Sequence, residues 1–129
     1  MKVKCVRAKV EPPRNSEQRG LFFTADTEFS VSQGTEYAAW GVAQYKGGLI
    51  ILIQDDNSQP EWYPGELFEI VDGAVPPDWH LQLDNSAGAT FQMIMGFDEL
   101  VNDSTYNDLL MEGDPDKVGD FQRRVEEAA

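Results

Sequence analysis

Apolar and polar residues alternate, imperfectly, along Lys2-Val3-Lys4-Cys5-Val6-Arg7-Ala8-Lys9-Val10. The pattern predicts a first strand, with lysines that suit an exposed sheet edge. Pro12-Pro13 ends it, residues 12–20 read as a polar loop, and Leu21–Phe23 and Glu28–Val31 predict short strands interrupted by Asp26. The clearest local signal is Tyr37–Tyr45, then Lys46-Gly47-Gly48, then Leu49–Ile53. Two strand-like runs around a glycine pair predict a hairpin, because glycine reaches the positive φ values of tight hairpin turns. The second arm is apolar on both faces and is expected at the centre of its sheet.

Asp55-Asp56-Asn57-Ser58 is a turn cluster, and Glu61–Pro64 and Leu67–Val71 supply further strands before a turn at Asp72-Gly73. Pro76-Pro77-Asp78 marks a loop ahead of Trp79. Beyond Phe91–Met95 the period changes: Phe97, Leu100, Val101, Leu109 and Leu110 fall at helical spacing, with Asp98 and Glu99 in the first turn, where the helix dipole favours acids. Asp114-Pro115 reads as an N-cap followed by proline at the first helical position, and Val118, Phe121 and Val125 line one face of a last helix. The chain is therefore expected to be one α+β domain over residues 1–129, mainly β over 1–95 and mainly helical over 96–129. Its short strands suggest a small, strongly bent antiparallel sheet or barrel.

Composition allows a single core: 129 residues, 41% hydrophobic and 11% aromatic, describe a folded, highly soluble domain rather than an acidic tail. The longest apolar run, Leu49–Ile53, is strand-sized, so no membrane span is expected, and Met1–Val10 lacks the apolar region of a signal peptide. The single cysteine, Cys5, leaves no internal disulfide, fits a reducing cytoplasm, and is expected to be a buried structural thiol.

Charge changes the picture most. From Gly20 to Asp116 one lysine, Lys46, stands against eighteen acids, a formal charge of −17, whereas residues 1–19 hold six bases against two acids, or +4. An ordinary surface mixes both signs. A one-signed field opposes folding and speeds encounter with a basic partner, which makes nucleic acid the least expected ligand. Catalytic constellations are scarce. His80 is the only histidine; one Cys and one His fall short of a zinc set; and Asp55–Gln59 lacks the glycine and closing glutamate of a calcium loop. Neither a cofactor nor catalysis is expected. Trp40 reads as core, while Trp62 and Tyr63, standing among Asp55, Asp56, Glu61 and Glu66, are open to a core or a partner-binding role.

Particular blocks of the sequence are similar to those of small acidic immunity proteins from bacterial polymorphic toxin and contact-dependent growth inhibition loci. The blocks are Gly34-Thr35-Glu36-Tyr37, Gly41-Val42, Ile53-Gln54-Asp55-Asp56, Trp62-Tyr63-Pro64, Leu67-Phe68-Glu69-Ile70-Val71-Asp72-Gly73 and Pro76-Pro77-Asp78-Trp79. They continue with Gly96-Phe97-Asp98-Glu99-Leu100, Tyr106 and Gly113-Asp114-Pro115. The resemblance implies an SH3-like bent sheet with C-terminal helices and an immunity role, and it carries no catalytic residues.

Electrostatics and resemblance together lead to a cytoplasmic, monomeric immunity protein that binds a basic toxin domain, a nuclease by preference, and blocks its substrate channel. The expected contacts are Asp55, Asp56, Glu61, Trp62, Tyr63 and Glu66, with a second candidate face at Asp103, Asp108 and Glu112. A small acidic hydrolase or metal-dependent enzyme, and an SH3-like adaptor for a basic peptide, are the alternatives.

Overall fold

The computed structural model describes residues 1–7 and 28–128. Among these residues eight strands come first: β1 (Lys2–Cys5), β2 (Glu36–Ala38), β3 (Gly41–Tyr45), β4 (Gly48–Gln54), β5 (Pro60–Pro64), β6 (Phe68–Asp72), β7 (His80–Leu83) and β8 (Met93–Gly96). Three helices follow, α1 (Asp98–Asn102), α2 (Tyr106–Glu112) and α3 (Pro115–Ala128), and a 3-10 turn at Gly65–Leu67 joins β5 to β6. The strands form two antiparallel sheets, ordered β2-β1-β6 and β5-β4-β3-β8-β7. The α+β class stands. Among the described residues the ladders do not close into a barrel.

β4 explains how two sheets and three helices share one chain. Its side chains alternate between two cores: Ile51 and Ile53 face Val3, Cys5, Tyr37, Tyr63 and Leu67 between the sheets, while Ile50 and Leu52 face Phe97, Leu100, Tyr106, Leu110 and Phe121 beneath the helices. An apolar run without alternation is what such a two-sided strand requires, and β4 does lie inside its sheet, between β3 and β5. The β3–β4 hairpin turns on Lys46 and Gly47, both at positive φ (48° and 78°), with Gly48 already paired opposite Tyr45. Two central residues at positive φ match the right-handed twist of the flanking strands.

α1 packs closely because two glycines sit under it. A Cβ on Gly41 or on Gly96 would meet the Leu100 side chain at 2.6 Å or 2.8 Å. One polar network then ties the three helices together. Asp120 accepts from the Tyr106 hydroxyl (2.7 Å) and Arg124 Nε (2.9 Å), Arg124 also reaches Glu99 (2.8 Å), and its guanidinium lies 4.3 Å from the Phe97 ring centre. Burial alone would raise the Asp120 pKa, but the bonds from Tyr106 and Arg124 outweigh it and hold the carboxyl below its ordinary range. α3 begins at Pro115, with the Asp114 carboxylate accepting from Lys117 N, and buries Phe121 with Val118 and Val125 packed beside it, as the sequence predicts.

Several expectations need correction. Glu28–Val31 is not a strand: the Ser30 carbonyl instead accepts from Asp56 N at 2.9 Å, so this backbone braces the β4–β5 loop. The helical spacing from Phe97 to Leu110 covers two helices, split where the Asp103 carboxylate accepts from both the N–H and the hydroxyl of Thr105. β7 was not foreseen at all. The second half of the first predicted strand, the 12–20 loop and the Leu21–Phe23 strand lie outside the described residues. No helix of the described residues is long and apolar enough to cross a membrane.

Candidate functional site

Alternation along β5 sends Tyr63 and Trp62 to opposite faces of the sheet. Tyr63 pairs with Ile51 and enters the core between the sheets, only 5% exposed, where its hydroxyl donates to Asp55 Oδ2 at 2.7 Å. Trp62 pairs with Leu52 on the helix face and remains partly exposed. Its indole Nε1 donates to Asn107 Oδ1 of α2 at 2.7 Å, and its ring lies 5.6 Å from that of Phe91. Phe91 in turn meets Tyr45 edge-on at 6.0 Å.

These rings wall a groove of about 440 Å³, completed by Phe29, Ile50, Pro64 and Met111, with Glu61 on its lining. A second hollow of about 260 Å³ adjoins it and shares Thr90, Phe91 and Asn107. Its lining carries Asp84, Asp103 and Asp108, with Ile94, Leu100 and Val101 as apolar wall. Among the described residues no lysine, arginine or histidine lines either hollow. The result is an aromatic trough that continues into an acidic one.

The acids differ in state. Asp84 and Asp103 are held below the ordinary carboxylate range by hydrogen bonds from the backbone and hydroxyl of Ser86 and Thr105 respectively, so they remain charged at any physiological pH. Glu61 is shifted the other way, raised first by desolvation against the groove and then by the neighbouring charge of Asp55. Such an acid gains from a cation that arrives to pair with it.

Of the nine expected contact residues, Glu61, Trp62, Asp103 and Asp108 line this double groove, which joins two faces that the sequence left apart. Asp55 and Asp56 serve the fold. Asp55 accepts from the N–H groups of Asn57 and Gln59 as well as from Tyr63, and Asp56 accepts from Ser32 Oγ and the Tyr37 hydroxyl, both at 2.6 Å. Glu66, in the 3-10 turn, and Glu112, at the end of α2, are exposed and line neither hollow. Tyr45, Phe91, Asn107 and Met111 were missed. The four-residue spacing of Asn107 and Met111 on α2 is the one sequence signal for them, since it places both on one helix face.

Among the described residues no three His, Cys, Asp or Glu side chains converge as a metal-binding group. His80 is exposed, 3.8 Å from Asp98, and lines neither hollow. The Cys5 thiol is fully buried, donates to the Arg7 carbonyl, and is raised in pKa chiefly by its burial. What the groove offers chemically is apolar and aromatic contact beside fixed negative charge. Comparison of the chain with protein-family models, with curated proteins and with solved structures finds no match.

Proposed function

We propose that this chain is a cytoplasmic immunity protein that binds a basic toxin domain, a nuclease, and covers its substrate-binding surface. The observation that carries the reading is the aromatic groove that runs into an acidic hollow, with no basic residue on either lining among the described residues. A nuclease holds phosphates with lysine and arginine, and carboxylates placed as on this surface compete for the same positions. Trp62, Tyr45 and Phe91 supply the buried contact that slows dissociation, and the acids supply steering.

The SH3-like reading of the β1–β6 portion has its own support. β2 and β3 lie on one stretch of chain, interrupted only at Ala39-Trp40, that passes from one sheet to the other, and the 3-10 turn after β5 returns the chain to β6 beside β1. On this reading β7, β8 and the helices are additions to a small bent sheet.

Co-expression with the polypeptide encoded by the adjacent reading frame tests the function. A stoichiometric complex is expected, in which nuclease activity of the partner is lost. Failure to form a complex, or cleavage undiminished within it, would overturn the proposal.

A further inference from the structure

Among the described residues β7 closes one end of the five-stranded sheet and pairs on one side only, with β8. Just beyond it, Asp84 N donates to the Gln92 carbonyl at 3.0 Å. By the two-residue alternation of an antiparallel ladder, Gln82 and His80 also direct their backbone groups towards β8, so the N–H and C=O groups of Leu81 and Leu83 point out of the edge. The other sheet edges are blunted in recognisable ways: β5 has proline at both ends, β2 is three residues long, and β6 carries Glu69 and Asp72. β7, His-Leu-Gln-Leu, has no proline and no acid.

The same register places an apolar strip beside this edge. Gln82 faces the helices and bonds Asn102 at the end of α1. Leu81 and Leu83 therefore face the opposite way, next to Met95 and Met93 of β8. They are 58% and 70% exposed. An open edge and an apolar strip together fit an added strand with alternate apolar side chains. Charge selects whose strand it is: Asp78, Asp84 and Asp98 lie around β7, and a second copy of a chain with net charge −13 would bring like charges together.

We propose that the edge of β7 receives an extended strand of a basic partner, which pairs with the outward backbone groups of Leu81 and Leu83 and covers the Leu81–Leu83–Met93–Met95 strip with its own apolar side chains. The proposal rests on the reading of the partner as a basic protein. An acetylated octapeptide of alternating lysine and valine is the probe, added to the full chain while amide exchange is followed by NMR. The Leu81 and Leu83 amides should become protected. The same peptide carrying N-methyl groups on its pairing edge should protect neither. Leu83→Pro removes one outward N–H while sparing the β7–β8 ladder, and should weaken peptide binding about fivefold with the thermal midpoint little changed.

Equal protection by the N-methylated peptide would overturn strand addition, and that comparison needs no variant. Protection of these amides without peptide, rising with protein concentration, would also overturn it by making a second copy the occupant. A toxin domain bound equally by the chain and by Leu83→Pro overturns strand addition and leaves the immunity reading intact. No toxin complex, with peptide protection retained, overturns the immunity reading alone.

Discussion

Asp56 and Glu61 are five positions apart and equally acidic in sequence, yet the fold uses them in opposite ways. Asp56 is lowered in pKa by hydrogen bonds from Ser32 and Tyr37, so it is stabilised as an anion. Asp56→Ala leaves the buried Tyr37 hydroxyl without its acceptor and should cost about 1–2 kcal/mol, read as a lower denaturant midpoint at constant slope. Glu61 is raised. The folded state therefore holds the Glu61 proton more tightly than the unfolded state, and stability falls as pH rises from the ordinary glutamate value through the raised one. Glu61→Gln should make the fold more stable at neutral pH, with the gain vanishing once pH falls below the ordinary glutamate range. A variant less stable than the parent at pH 7 would contradict this account. The sequence shows both acids but not the tyrosine hydroxyls that separate them, because Tyr37 reaches Asp56 from 19 residues away and only folding brings them together.

Local patterns name an element when its partners are nearby in sequence. The β3–β4 hairpin, the two-sided β4 and the capped start of α3 were legible for that reason. β7 was not, since its exposed His-Leu-Gln-Leu has neither a buried face nor a tight turn to mark it, and its pairing with β8 spans a loop from Asp84 to Gln92. The seat of α1 was equally hidden. Gly41 and Gly96 look like ordinary strand glycines, but they face each other across β3 and β8 beneath Leu100. Gly96→Ala would press a methyl to 2.8 Å from the Leu100 side chain and 2.9 Å from the Trp40 carbonyl oxygen. The side chain can rotate away and the carbonyl has no such freedom, so a loss of about 1–3 kcal/mol is expected, with α1 displaced from the sheet. Unchanged thermal unfolding in Gly96→Ala would show that β3 and β8 yield more readily than their pairing implies.

The whole molecule carries −13, and its acids act twice: on one another within the fold and on whatever approaches it. The sign of that field was readable from the sequence, but its placement was not. Asp103 and Asp108 line a hollow that adjoins the groove of Trp62 and Glu61 because α2 folds back onto β5 through the Trp62–Asn107 bond. Self-repulsion weakens when salt shortens the screening length from roughly 10 Å at 0.1 M to about 3 Å at 1 M, so the thermal midpoint of the free protein should rise. Over the same range the association rate with the proposed basic toxin domain should fall more than about tenfold, because steering rests on those charges, while the dissociation rate changes less. Trp62→Ala should show the complementary pattern, with association nearly preserved and dissociation faster by an amount equivalent to about 2 kcal/mol if the indole is a buried anchor. Stopped-flow association and dissociation rates at the two salt concentrations, set beside thermal unfolding of the free chain, separate these effects. Binding abolished by salt and indifferent to Trp62→Ala would reduce the interaction to that of a polyanion with a polycation, and the groove would lose its role.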